Sequence, residues 1–261
     1  MEYGVRAVLA IHPRCYVHHL FHAAQSEAIY ACAARRGTII TLFFLLSFPD
    51  LIHEMKQESQ RAAVRTEIEN LETFEKHGES YANADGRHGW RNPIRADTGP
   101  ILEAITMAQK PQRILEIGTA HGLSALYFIA ASEDWDAIEM DTIEFHEEVA
   151  AATQERMDHL GVPVRVICGE AGAVIREKLD NGRYDMVFFD AQKSLYHEQL
   201  LALIERGLIG PGTVLLADNV TDRQTECQGF LDWFHESALL HRIVPTECGL
   251  LVCRLPENFN G

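Results

Sequence analysis

The stretch from Arg113 to Ser124, which reads R-I-L-E-I-G-T-A-H-G-L-S, constrains the fold of this chain more than any other. Its apolar start, its glycines at positions 118 and 122 and the helical pattern behind them are typical of a strand, a tight turn and a helix N-terminus. Gly118 lets the backbone turn and approach a ligand without a Cβ atom, and Glu116 offers a hydrogen-bond acceptor beside it. The stretch predicts an α/β fold with a cofactor pocket at this turn.

The spacing of these glycines argues against a pyrophosphate ligand. A dinucleotide fingerprint, G-x-G-x-x-G, needs a third glycine where this chain has Ala120. A dehydrogenase that binds its nucleotide through this turn is therefore disfavoured.

Composition limits the class of partner. The chain has 261 residues, 47% of them hydrophobic, which suffices for one sizeable core, and its formal net charge is −15. Residues 1–55 hold as many Lys and Arg as Asp and Glu, so the acidic excess lies in the rest of the chain. Such an acidic body repels nucleic acid phosphates and anionic lipid surfaces. We therefore expect small-molecule partners, disfavour nucleic acid and membranes, and leave a homodimer open.

The cysteines indicate a reducing compartment. They form no C-x-x-C pair and no zinc spacing with the histidines. The six residues are Cys15, Cys32, Cys168, Cys227, Cys248 and Cys253. The pattern favours reduced thiols in a cytoplasmic protein.

The N-terminal residues 1–54 differ in sequence pattern from residues 55–261. Residues 1–54 mix histidines with an apolar run, Thr38 to Phe48, which is too short to span a bilayer as a helix. We expect these residues to be an extension outside the catalytic fold, upstream of a true start at Met55; the alternative is that the apolar run joins the core or an oligomer interface. Residues 55–261 form the expected catalytic domain, which begins with an amphipathic helix. The polar segment from His77 to Asn92 is either a surface loop or a lid.

The remaining chain alternates strand-like and helical segments, as expected for a parallel sheet with crossover helices. After the strand at Arg113, the predicted strands are Ile138–Phe145, Val164–Cys168, Tyr184–Asp190, Thr213–Ala217, Leu240–Val244 and Gly249–Arg254. The predicted helices are 101–109, 123–131, 147–160, 195–208 and one through Phe230.

Acidic and amide side chains follow two of these strands. Asp190 ends one strand, and Asp218 and Asn219 end the next. Ligands of open α/β sheets bind outside the carboxyl ends of the strands, so these side chains are expected to converge. Two carboxylates and an amide oxygen are hard ligands that suit Mg²⁺. The sequence therefore predicts a divalent cation site at this edge.

Several motifs resemble a known family. The form E-I-G-T-x-x-G-x-S at Glu116 resembles motif I of the class I S-adenosylmethionine-dependent methyltransferases. The form D-A-x-K-x-x-Y from Asp190, followed by D-N-V from Asp218, looks like the metal-dependent catechol and caffeoyl-CoA O-methyltransferases. The resemblance covers roughly residues 95–255. It implies a Rossmann-like, seven-stranded, mostly parallel sheet with helices on both faces and an antiparallel last strand.

The resemblance also implies roles for particular residues. Glu144 would bind the ribose of S-adenosylmethionine, and Glu170 would lie near the adenine amine, in a place where the family usually has Asp. The cation would be held by Asp190, Asp218 and Asn219, with Asp190 next to the donor. Lys193 would be the general base, so Lys193 and Asp190 are the expected catalytic residues. The expected donor-binding residues are Glu116, Gly118, Thr119, Ala120, Ser124, Glu144, Phe145, Gly169, Glu170, Ala171 and Asp190.

These expectations lead to one preferred function and three alternatives. The preferred function is methyl transfer from S-adenosylmethionine to a hydroxyl of a small catechol-like or phenolic acceptor, assisted by a divalent cation. The alternatives are a tRNA-modifying O-methyltransferase of the same family, a non-catalytic donor-binding regulatory protein, and a dehydrogenase. The connection after Val220 is shorter than in plant and animal members, so the acceptor is not carried over from the family.

Overall fold

The computed structural model describes residues 49–76 and 94–260. The strands in these ranges are β1 (Arg113–Ile117), β2 (Glu139–Glu144), β3 (Val164–Cys168), β4 (Met186–Phe189), β5 (Val214–Ala217), β6 (His241–Val244) and β7 (Leu250–Arg254). The helices are α1 (Pro49–Lys76), α2 (Thr98–Gln109), α3 (Leu123–Ala131), α4 (Glu147–Leu160), α5 (Ala171–Glu177), α6 (Tyr196–Glu205) and α7 (Gln228–Glu236). A short 3₁₀ turn, Lys193–Leu195, precedes α6.

The seven strands form one sheet in the order β3-β2-β1-β4-β5-β7-β6. The first five are parallel to one another, and β7 runs antiparallel to both β5 and β6, between which it lies. The expected Rossmann-like sheet with an inserted antiparallel last strand is therefore confirmed.

Two apolar cores lie on opposite faces of the sheet, because side chains alternate along each strand. Leu115 and Ile117 of β1 pack into one core with helices α5, α6 and α7. Ile114 packs into the other with α1, α2, α3 and α4. In β4, Phe189 and Phe188 divide between the two cores in the same way. The helices therefore cover both faces, and the polar strand ends are left at the edges of the sheet.

The second half of α1 is part of this fold. Val64 and Ile68 are buried in the same core as α2 and α3. Arg61 donates a hydrogen bond to the carbonyl of Ser132, at 2.7 Å, and Arg156 forms an ion pair with Glu67, at 2.8 Å. The expected amphipathic helix is confirmed, although it begins at Pro49, upstream of Met55.

The division into residues 1–54 and 55–261 stays a prediction. Residues 1–48 lie outside the described part of the chain, and so does the segment from His77 to Asn92 with its two interpretations. Among the helices of the described ranges, none combines the length and the apolarity needed to cross a membrane.

The packing of α1 gives a first testable prediction. Ile68→Ala should lower the free energy of unfolding by about 2–5 kcal/mol, because it removes a buried side chain and leaves a cavity. The matched control, Glu69→Ala, changes an exposed neighbour and should stay within about 0.5 kcal/mol. Urea unfolding of the full chain measures both. Equal stability of the two variants would contradict the packing described here.

Candidate functional site

The carboxyl ends of four neighbouring strands, β2, β1, β4 and β5, are aligned by backbone hydrogen bonds. The amide of Gly118 donates to the carbonyl of Ile143 at 2.9 Å, and the amide of Asp190 donates to that of Ile117 at 2.8 Å. The amide of Asp218 continues the series by donating to the carbonyl of Phe189 at 3.0 Å. The ladder thus extends beyond the strands and brings the motif I turn next to the acidic strand ends. This is the edge at which open α/β sheets bind ligands.

Gly118 is required where the chain turns away from β1. Its φ is +102°, and a Cβ atom would lie 2.5 Å from the carbonyl oxygen of Asp190. The close neighbour of Gly118 in the structure is the backbone of Asp190 and Ala191, and the expected approach of a ligand stays a prediction. Ala120 also has a positive φ, of +45°, which costs energy for a residue with a side chain.

The carboxyl group of Glu116 lies under this turn and is fully buried. It accepts hydrogen bonds from the hydroxyls of Ser124 and Thr142, the latter at 2.5 Å, and Thr142 also contacts the hydroxyl of Thr119 at 2.6 Å. Burial raises the pKa of Glu116 to about 8, although both hydroxyls act against it. Glu116, Ser124 and Thr119 thus have internal partners, and a direct contact with the donor stays a prediction.

β2 ends at Glu144, one residue before the predicted end at Phe145, and the side chain of Glu144 is buried. Its carboxylate accepts hydrogen bonds from the backbone amides of Ala120, at 3.0 Å, and His146, at 2.9 Å. It therefore fixes the motif I turn to the end of the neighbouring strand, and each oxygen keeps a lone pair for a ligand hydroxyl. The next side chain, Phe145, is 62% exposed, so its ring offers an apolar surface at the same edge.

The turn after β3 shows a different use of its acid. The amide of Gly169 donates to the carbonyl of Glu144 at 2.9 Å, which places the turn at the expected edge. The carboxylate of Glu170, however, caps α5 by accepting from the amides of Gly172 and Ala173, both at 2.8 Å. The structure gives Glu170 a helix-capping role, because the first amides of α5 need an acceptor, and the expected contact with adenine stays a prediction. Ala171 is the first residue of that helix.

Asp190 and Lys193 form a close ion pair at the end of β4. The ammonium of Lys193 donates to Oδ1 of Asp190 at 2.8 Å, and both side chains are largely buried. Burial raises the pKa of Asp190, while the charge of Lys193 lowers it. Lys193 also lies 5.5 Å from the centre of the Tyr196 ring. The expected base and its neighbouring acid are therefore brought together.

Asp218 is the least satisfied acid of this edge. Its side chain is 2% exposed, and Oδ1 has no hydrogen-bond partner. Burial raises the pKa of Asp218 to about 7, and the charge of Asp190 raises it further. Tyr196 donates from its hydroxyl to the backbone carbonyl of Asp218 at 3.2 Å, so it does not compensate the carboxylate. A buried oxygen without a donor beside a second carboxylate is what a cation would ligate.

Asn219 follows directly and completes the predicted set of three. It has a positive φ of +63°, a conformation that Asn tolerates better than most residues. Its amide nitrogen donates to the carboxylate of Asp222 at 3.2 and 3.3 Å, which leaves its carbonyl oxygen for a ligand. In the described part of the chain, no three His, Cys, Asp or Glu side chains are grouped to hold a metal ion. The candidate site therefore depends on two carboxylates and one amide, which fit a hard divalent cation.

Sequence reasoning missed three residues of this edge. Thr142 pairs in register with Glu116 and lies two residues before Glu144, so strand periodicity offered a signal for it. Thr153 of α4 donates to the carbonyl of Ala120 at 2.8 Å, and Asp222 binds Asn219. Neither has a local pattern that indicates its partner.

Comparison with known proteins gives consistent similarities. Residues 115–220 match a family model described as a methyltransferase domain. The chain is 36% identical to catechol O-methyltransferase of Sus scrofa over 127 residues, which are 47% of this chain and 67% of that protein. It is 35% identical to catechol O-methyltransferase of Bos taurus over 136 residues, but this match spans only about half of each protein, 50% of this chain and 49% of the relative.

The fold also resembles solved structures. The SAH-bound methyltransferase of Podospora anserina has a TM-score of 0.55 and 25% sequence identity. The match covers 62% of this chain and 80% of that protein.

The buried carboxyl of Glu116 predicts a pH dependence of stability. Its pKa of about 8 in the folded state exceeds the ordinary 4.5, so the folded state holds the proton more tightly. Its contribution is complete below about pH 4.5 and is lost as the pH rises through about 8. Relative to Glu116→Gln, the wild type should lose up to about 1.4 kcal/mol per pH unit in this window. Urea unfolding at several pH values checks this, and parallel curves would contradict it.

Proposed function

Because the chain belongs to the S-adenosylmethionine-dependent O-methyltransferases related to catechol O-methyltransferase, we propose that it transfers a methyl group from S-adenosylmethionine to a hydroxyl of a small phenolic, catechol-like acceptor. The family membership follows from the match to the porcine enzyme. The observation that carries the finer proposal is the unpartnered, buried oxygen of Asp218 beside the Asp190–Lys193 pair. These groups lie at the sheet edge next to the motif I turn.

The proposed reaction is a direct displacement at the methyl carbon. The acceptor oxygen forms a bond to carbon while the carbon–sulfur bond breaks, and the electrons of that bond stay on sulfur. A phenol is largely protonated near neutral pH, since its pKa is about 10, so the protein must also remove a proton. Aligning the acceptor oxygen with the methyl group supplies much of the remaining rate.

The residues at the ends of β4 and β5 fit a divalent cation, and we propose Mg²⁺. Asp190, Asp218 and Asn219 would supply three oxygens, and the remaining positions would suit vicinal hydroxyls and water. A bound cation would lower the pKa of a hydroxyl that it contacts. The proposal is supported by the two carboxylates that lie buried at neighbouring strand ends. Burial raises the pKa of Asp218 and the charge of Asp190 raises it further, so a positive charge between them would stabilise both ionised groups.

Lys193 is the proposed proton acceptor. Its ammonium donates to Asp190 in the structure, so it acts as a base only after it releases one proton to solvent, and the neutral amine then takes the proton of the acceptor hydroxyl. The hydrogen bond to Asp190 would hold the side-chain nitrogen of Lys193 close to the acceptor hydroxyl. The ring of Tyr196 forms one wall beside it, and Tyr196 remains a neutral phenol because burial raises its pKa well above the ordinary value.

The donor pocket is proposed to lie along the ends of β1, β2 and β3. Glu144 is the proposed partner of the ribose hydroxyls, with the exposed ring of Phe145 beside it. The glycines at 118 and 169 and the neighbouring Thr119, Ala120 and Ala171 line the backbone turns of this edge. The SAH-bound neighbour supports this cofactor.

A tRNA acceptor is the second candidate of the same chemistry, but the net charge of −15 opposes binding to a polyanion. A cytoplasmic location is part of the proposal. It is supported by four cysteines that are free in the described residues.

The proposal predicts that activity requires a divalent cation. With a panel of catechols and single phenols, methyl transfer should be lost in excess chelator and restored by Mg²⁺. Asp218→Ala should lower turnover more than about 100-fold, since it removes an anionic ligand. Asp232→Ala is the matched control, because it changes charge equally at an exposed position of α7. Full activity after exhaustive chelation would refute the cation, and methylation of bulk tRNA with no phenol turnover would favour the second candidate.

The role of Lys193 gives a separate prediction. Lys193→Met should leave donor binding within about twofold, measured by calorimetry, while lowering kcat. The loss should be largest near neutral pH and smaller at high pH, where the phenol ionises without a base. A loss that is the same at every pH would show that Lys193 has another role.

A further inference from the structure

The segment after Asn219 is fixed by its backbone. The amide of Val220 donates to the carbonyl of Gly249 at 3.1 Å, and the amides of Thr221 and Asp222 donate to that of Cys248 at 3.0 and 3.3 Å. These bonds attach the segment to the turn before β7. The backbone that carries Asp222 is therefore held in place before any ligand binds.

The contact between Asn219 and Asp222 decides which way the amide faces. An ionised carboxylate only accepts hydrogen bonds, so the atom of Asn219 that faces it must be the nitrogen. That nitrogen lies 3.2 and 3.3 Å from the two carboxylate oxygens. The carbonyl oxygen is then on the other side of the amide group. Without this acceptor the amide is free to rotate and present the nitrogen, which cannot bind a cation.

We propose that Asp222 is a positioning residue of the cation site, which orients the Asn219 amide so that its oxygen is presented together with the carboxylates of Asp190 and Asp218. This inference rests on the proposed function, since it assumes that the three residues hold a cation. It adds a residue that is not one of the three ligands. Hydrogen-bonding partners of metal ligands commonly change metal affinity by about 10–100-fold when removed.

Charge offers a competing explanation that the experiment must separate. Burial is the main cause that raises the pKa values of Asp190 and Asp218, and the negative charge of Asp222 also acts to raise both. A negative group near the site attracts any cation, whichever way the amide faces. Asp222→Ala removes both the acceptor and the charge. Asp222→Asn removes the charge but keeps a carbonyl oxygen that accepts from Asn219.

The test is a titration of the full chain with Mn²⁺, followed by electron paramagnetic resonance, without donor or acceptor. We expect Asp222→Ala to bind Mn²⁺ about 10-fold more weakly than wild type and Asp222→Asn to stay within about threefold. Glu226→Ala, which changes charge equally in the same segment and contacts Arg223 instead, should match wild type. Calorimetry with S-adenosylmethionine verifies that all four proteins keep the donor pocket.

The outcomes separate this inference from the function on which it rests. If wild type binds no Mn²⁺ while it still binds the donor, the cation part of the proposed function fails, and this inference with it. If wild type binds Mn²⁺ and Asp222→Ala binds equally well, only the role of Asp222 is refuted. Equal weakening of Asp222→Ala and Asp222→Asn would assign the effect to charge and would also overturn the positioning role.

Discussion

The contact between the backbones of Gly118 and Asp190 is the constraint on which the candidate site depends. The amide of Asp190 is bonded to β1, and a Cβ atom on Gly118 would lie 2.5 Å from the carbonyl oxygen of Asp190. The turn of the proposed donor pocket and the first proposed cation ligand thus share one interface. A side chain at position 118 would separate the two halves of the site without altering any charged group.

Patterns within one segment predicted the fold well. Helices α3 and α4 have the expected bounds, Leu123–Ala131 and Glu147–Leu160, because their apolar spacing and the closing Gly161 are local signals. The acids Glu144 and Asp190 were also predicted at this edge, since each follows an apolar run, although β4 itself ends one residue earlier, at Phe189. The parallel sheet then brought these ends to one edge.

The sequence did not reveal which hydrogen-bond partner each of the predicted acids has in the folded chain. An acid between a strand and a helix can serve a ligand, the amides of its own helix, or both, and the sequence did not show that Glu170 accepts from the amides of α5. For Glu116 the deciding neighbour is Thr142, which is far away in the sequence and reaches it through the pairing of β1 with β2. No sequence motif indicated that Asp222 would bind Asn219. Such partners follow from register and turn geometry, which a single sequence specifies weakly.

The unpartnered oxygen of Asp218 has a consequence for the evolution and engineering of this protein. Two acids buried at adjacent strand ends repel each other, so the free energy of folding is less favourable than an apolar or amide pair would allow. Substitutions that relieve this repulsion would stabilise the chain and at the same time remove its proposed ligands. Selection for folding stability and selection for turnover therefore oppose each other at this edge. Substitutions intended to stabilise the protein without loss of activity should be made in the two apolar cores.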